Sequence, residues 1–95
     1  MSMNVIQTGR RPTLRSSIEF KVLDDLSSVA VDPASGQAHA LTPVATAIIE
    51  RCDGTATVEE IVAEIVEIFD CTTFQAEQDV VAFIDDLAAR ELVDW

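Results

Sequence analysis

The spacing of apolar residues changes once along the chain, and that change limits the fold more than any other feature. As far as Leu41 the apolar residues fall at every second position, and from Val44 onward they recur every three to four. Ile18-Glu19-Phe20-Lys21-Val22 alternates apolar and charged side chains, the period of a half-buried strand. Asp24-Asp25 breaks that pattern, and Val29-Ala30-Val31 reads as a second short strand. Asp32-Pro33-Ala34-Ser35-Gly36 carries turn chemistry, because Pro pre-sets φ and Gly permits positive φ. Gln37-Ala38-His39-Ala40-Leu41 is then a third strand, closing a hairpin around a four- or five-residue loop.

Helical signals begin at Thr42-Pro43, a capping hydroxyl followed by proline at the first helical position. Val44, Ala45, Ile48, Ile49 and Cys52 share a face of this short helix, and Asp53-Gly54 ends it. Thr57-Val58-Glu59-Glu60 is a capping box. Val58, Ile61, Val62, Ile65, Ile68 and Phe69 follow at helical spacing, and length and period favour a helix over a strand despite the β-branched content. Glu60, Glu64 and Glu67 share the opposite face. Like charges four residues apart cost a few tenths of a kcal/mol, so packing must hold this helix together. Thr72 or Thr73 caps a third helix from about Phe74 to Arg90, with Val80, Phe83, Ile84 and Leu87 as its apolar stripe. Leu92-Val93 adds a last apolar contact, and Trp95 covers the end of the helical layer. Strands first and helices afterwards indicate an α+β domain with a three-stranded antiparallel sheet followed by three helices. The chain length of 95 residues suits one such domain. Residues 1–16, polar and interrupted by Gly9 and Pro12, read as a flexible N-terminal arm, and residues 17–95 as the domain.

Charge excludes some functions. The net charge is −11, and every carboxylate except that of Glu19 lies beyond Val22, whereas four of the six basic residues precede it. Such a field repels phosphate backbones and attracts basic peptides or a basic enzyme surface, so no nucleic-acid partner is expected. Two separated cysteines, Cys52 and Cys71, and one histidine, His39, do not compose a zinc site. The cysteines read as reduced, mostly buried thiols. Phosphate loops and Ser/His/Asp sets are absent, so neither a cofactor nor catalysis is expected. Asp25-Leu26-Ser27 is faintly similar to the attachment site of acyl carrier proteins, but it lies between strands rather than at the start of a helix. No apolar run reaches membrane-spanning length, so no membrane partner is expected and the default location is the cytoplasm.

The third strand is the candidate site. It holds no proline, and its small residues Ala38 and Ala40 leave room for another backbone to pair along its edge. The same free edge permits a homodimer.

Three stretches resemble the PqqD-like family, the RiPP recognition elements. Ala40-Leu41-Thr42-Pro43-Val44-Ala45-Thr46-Ala47-Ile48-Ile49 resembles its strand-to-helix passage. Cys52-Asp53-Gly54-Thr55-Ala56-Thr57-Val58-Glu59-Glu60-Ile61-Val62 is close to its "C-D-G-x-x-T-V-x-E-I-V" stretch. Asp79-Val80, Phe83-Ile84 and Leu87, leading to Leu92-Val93, match its last helix. Thr42 stands where asparagine is common, and Glu91 where glycine usually stops the helix, so the helix runs on there or ends with strain. The strand-turn region is also similar to a subgroup found beside HPr-kinase-like proteins. The resemblance implies a winged helix-turn-helix-like fold without DNA binding. It further implies a non-catalytic peptide chaperone that takes the leader of a precursor peptide as an added strand on the third strand, over a groove shared with the last helix, and hands it to a modifying enzyme, commonly a radical SAM protein. On that implication the candidate contacts are Ala38, His39, Ala40 and Leu41 from the strand and Val80, Phe83, Ile84 and Leu87 from the helix, although some of these helix positions must be core, and Asp79 and Asp86 would rim the groove and pair with basic leader residues. The alternatives are a winged-helix transcription factor and a structural or dimerisation module.

Overall fold

The turn at residues 32–36 makes the central hairpin of the structure, a computed structural model that describes residues 9–95. Gly36 takes φ +76°, its N–H donates to Asp32 O at 2.8 Å, and the Asp32 carboxylate accepts the Ala34 N–H at 3.0 Å. The chain runs β1 (Thr13–Leu14), β2 (Glu19–Val22), β3 (Ser28–Asp32), β4 (Gln37–Leu41), α1 (Pro43–Glu50), α2 (Val58–Phe69), α3 (Thr73–Ala89) and β5 (Val93–Asp94). Strands β2, β3 and β4 form an antiparallel sheet in that order, with Phe20 opposite Ala30 and Ala30 opposite His39. The expected α+β architecture, three antiparallel strands and then three helices, is the one observed.

Each helix starts where its cap requires. Thr42 Oγ1 accepts from Ala45 N at 3.2 Å, and Thr72 Oγ1 accepts from Gln75 N at 3.2 Å. At α2 the capping box is complete: Glu60 N donates to Thr57 Oγ1 (3.2 Å) and Thr57 N to Glu60 Oε1 (2.8 Å). The Thr57 hydrogen bonds hold the Glu60 carboxyl below its ordinary pKa. Helix α3 stops in a Schellman arrangement, Leu92 N donating to Leu87 O and Glu91 N to Ala88 O, both at 3.0 Å. Glu91 occupies the left-handed position at φ +61°, so the helix ends there rather than running on.

The core lies between the sheet and the helices. Ile48 and Ile49 of α1, Val58, Ile61 and Ile65 of α2, and Val80, Ile84 and Leu87 of α3 are buried together with Ala30 of β3. Ser28 and Thr46 share a buried hydroxyl–hydroxyl hydrogen bond of 2.6 Å, which satisfies both groups where β3 meets α1. Two expected face residues lie outside the core: Val44 and Ile68 are exposed, at the edges of their helices' apolar stripes.

The largest departure concerns the arm. Residues 1–8 lie outside the described residues. Thr13 and Leu14, assigned to the arm by sequence, pair antiparallel with Asp94 and Val93. Leu14 N donates to Cys52 O (2.7 Å), Gly54 N to Pro12 O (3.1 Å) and Val58 N to Arg10 O (2.9 Å). The segment around Pro12, itself buried, is therefore part of the domain.

Candidate functional site

The β3–β4 register determines which backbone groups of β4 are free. Leu23 N donates to Ser27 O, so the pairs facing each other across β2 and β3 that exchange hydrogen bonds are Lys21 with Val29 and Glu19 with Val31. The intervening β3 residues Ser28, Ala30 and Asp32 turn to β4 and bond Leu41, His39 and Gln37. Ala38 and Ala40 therefore direct both N–H and C=O away from β3, and no strand among the described residues lies on that side. Side chains alternate on the perpendicular axis: Ala38 and Ala40 are exposed, while His39 and Leu41 are half-buried on the side of the helices.

Beside this edge lies a groove of about 490 Å³ between β4 and the C-terminal half of α3. Leu41, Ala45, Phe83, Leu87 and Leu92 supply its apolar surface. Arg90 crosses its polar end. The guanidinium Nη1 lies 3.1 Å from His39 Nδ1 on β4, and Nε lies 3.1 Å from Asp86 Oδ2, one turn back on α3. A guanidinium has only donors, so His39 Nδ1 accepts and the ring hydrogen resides on Nε2.

Seven of the ten expected contacts line this groove: Ala38, His39, Ala40, Leu41, Phe83, Asp86 and Leu87. Val80 and Ile84 do not, because both are fully buried against the other helices. Asp79 is exposed and does not line the groove. Asp86 is at the rim as expected, yet its charge is countered by Arg90 rather than left for a basic ligand. Thr42, Ala45, Arg90 and Leu92 line the groove and were not among the expected residues. The one signal for Arg90 in the sequence is its place four residues after Asp86, the spacing of a helical ion pair.

Among the described residues no three His, Cys, Asp or Glu side chains come together in a way that could hold a metal ion. Asp25-Leu26-Ser27 forms the β2–β3 turn, with Ser27 N donating to Asp25 Oδ1 (3.1 Å) and Leu26 at φ +70°. The Ser27 hydrogen bonds lower the Asp25 pKa, and the serine serves this turn instead of opening a helix. Cys52 and Cys71 are both free thiols. No helix among the described residues is long and apolar enough to cross a membrane.

The family model described as Coenzyme PQQ synthesis protein D (PqqD) matches residues 27–93, which include β3, β4, all three helices and the start of β5. The chain belongs to the PqqD family. No curated protein matches it in sequence. The fold of this PqqD-family domain is similar to that of TbiB1 in complex with the TbiA(beta) leader peptide, with TM-score 0.78, 23% identity, and coverage of 86% of this chain and 94% of that one. It is similar to lasso peptide synthetase B1 complexed with the leader peptide, with TM-score 0.78, 20% identity, and coverage of 90% and 99%. It is also similar to the PqqD portion of Methylobacterium extorquens PqqCD, a functional stand-alone RiPP recognition element, with TM-score 0.72, 20% identity, and coverage of 88% of each chain. At these identities the likenesses establish the fold of the PqqD-family domain.

Proposed function

We propose that this domain is a non-catalytic peptide chaperone that binds the leader segment of a ribosomally made precursor as a fourth strand along β4. The observation that carries this is the vacant outer edge of β4 directly beside an apolar groove. Membership of the PqqD family supports it, as does the likeness to two proteins solved with a leader peptide bound. The bound leader is then presented to a modifying enzyme, of the radical SAM class by the family resemblance, in the cytoplasm.

Magnitudes favour a division of labour. Ala38 and Ala40 offer four backbone hydrogen bonds, together about 2–6 kcal/mol net. Two apolar side chains in the groove add about 1.5–3 kcal/mol each. Ordering the peptide costs about 2–5 kcal/mol. Micromolar binding needs about 8 kcal/mol, which strand pairing alone does not reach, so the groove is needed for useful affinity while the pairing also sets register.

Ala40→Pro tests the edge. The Ala40 N–H points away from β3, so proline removes a donor that the fold does not use. Titration with the cognate leader peptide should show binding weakened about tenfold or more. Val22→Pro, at an outward position of β2 on the opposite edge, should leave affinity unchanged. Equal affinity of Ala40→Pro and the parent would remove the edge-strand reading. Sedimentation with and without leader tests the alternative use of the edge: a β4-paired homodimer should dissociate as leader is added.

A further inference from the structure

The polar end of the groove has a chemistry that the apolar end does not. Arg90 is held across the groove by two contacts, Nε to Asp86 and Nη1 to His39. Asp86 therefore positions the guanidinium towards β4. Arg90 keeps hydrogens on Nη1 and Nη2 beyond those two bonds, and His39 keeps its Nε2–H. Among the described residues neither group has a further acceptor. The groove thus ends in unused donors on a cationic side chain, half-exposed and facing the place where an added strand would lie.

Strand geometry fixes what meets these donors. A residue paired opposite His39 on the outer side of β4 projects its side chain to the same face as His39, and one paired opposite Leu41 does the same beside Leu41. These two ligand residues are separated by one whose side chain points to the outer face with Ala38 and Ala40. We propose that the leader bound by this domain carries an apolar residue and an acidic residue two positions apart, the apolar one beside Leu41, Phe83 and Leu87, and the acidic one on Arg90 and His39. This rests on the edge-strand reading above and specifies the class of leader. It reverses the expectation from net charge alone: the molecule as a whole is acidic, but the groove mouth selects a carboxylate, because Asp86 is already engaged and the remaining groups there are donors. A carboxylate is the acceptor that takes two donors from a guanidinium at once. Arg90 is thereby a specificity-determining residue.

The probe is a blocked synthetic peptide with the core Xaa-Thr-Leu-Thr-Xaa between Ser-Thr ends. Its symmetry presents leucine beside Leu41 and Xaa beside His39 whichever way the strand runs. Peptides with Glu, Gln, Lys or Ala at Xaa are titrated against the full chain and followed by the amide resonances of Ala38 and Ala40. The Glu peptide should bind about fivefold more tightly than the Gln peptide and about tenfold more tightly than the Lys peptide. Arg90→Gln should level the series, and Arg90→Glu should invert it in favour of Lys, an outcome that a purely structural role for Arg90 does not produce. Both variants are compared at matched folded fraction, read from their thermal transitions. Leu→Ala in the peptide core should weaken every member in every variant, since it reads the apolar part of the groove. Binding that depends on leucine but treats Glu and Lys alike overturns the carboxylate assignment and leaves strand addition standing, as does a Glu preference that survives Arg90→Gln. If no peptide moves the Ala38 and Ala40 amides, both readings fall together.

Discussion

Glu91 sits where the backbone asks for glycine. At φ +61° a residue with a Cβ pays about 1–2 kcal/mol for the left-handed conformation. Glu91→Gly relieves that strain but frees the unfolded chain, so the expected net gain is about 1 kcal/mol, or a rise in Tm of about 4–8 °C by calorimetry. The residue was conspicuous in the sequence because a glycine is expected there; that the chain stops there and does not run on depends on Leu92 folding back into the core, where it is 1% exposed. Cys52 is a second such case. Burial first, and the adjacent Asp53 carboxylate second, push its thiol up to about 12 from an ordinary value of 9.0. Its Sγ donates to Ile48 O at 3.4 Å, whereas Cys71 is only half-buried. Native protein treated with iodoacetamide near neutral pH should be alkylated at Cys71 well before Cys52, as read by peptide mass spectrometry. The linkage has a definite sign. Between 9.0 and about 12 the unfolded thiol releases its proton and the folded one keeps it, so the thiol's contribution to stability is intact below pH 9 and falls as pH rises. The limiting slope is about 1.4 kcal/mol per pH unit, and a Cys52→Ala variant, compared by denaturant titration across that range, should lack this component.

At the scale of elements, the β1–β5 pair is what the sequence concealed. β1 is two residues long, its partner lies about eighty positions away, and a pair of residues carries no period. Composition around it, with Arg10, Arg11, Pro12 and Arg15, reads as solvated chain. Packing gives the segment its order. Gly54, read from sequence as a helix stop, takes φ +83°, and a Cβ there would come within 2.8 Å of Thr13 Oγ1. The missing side chain thus serves both the turn after α1 and the close crossing of β1. Removing residues 1–14 should lower stability by about 2–4 kcal/mol, since the three backbone hydrogen bonds to Cys52, Gly54 and Val58 and the β1–β5 pairing are lost and Val93 is uncovered. Urea unfolding measures the loss, and hydrogen exchange should show it concentrated at the Gly54 and Val58 amides and at β5. An unchanged midpoint would mean that the segment merely rests on the surface. The β3–β4 hairpin is the opposite case: turn chemistry and a clear alternation lie within ten residues, and the observed strand Gln37–Leu41 is the expected one.

For the molecule as a whole, the net charge of −11 acts on everything at once. Self-repulsion among carboxylates on α2 and α3 is screened over about 8–10 Å at ordinary ionic strength, so the melting temperature should rise as sodium chloride is added from low salt. The same field should prevent any retardation of random duplex DNA in a low-salt gel shift; a shifted band would revive the winged-helix transcription-factor alternative. What the sequence by itself determined is local in origin: caps, turns and periods act over four residues or fewer, and they suffice for three strands, three helices, their order and the fold class. Only the tertiary structure decided which apolar residues of α3 are core and which wall the groove. Val80, Phe83, Ile84 and Leu87 form one stripe in sequence, yet Val80 and Ile84 are buried against the other helices, Leu87 is buried in the core and also reaches the groove, and half-buried Phe83 lines it. The structure alone likewise set Arg90 against His39, 51 residues away, and folded the N-terminal segment onto β5. Such contacts depend on how finished elements pack, and no pattern of neighbouring residues encodes the distance between them.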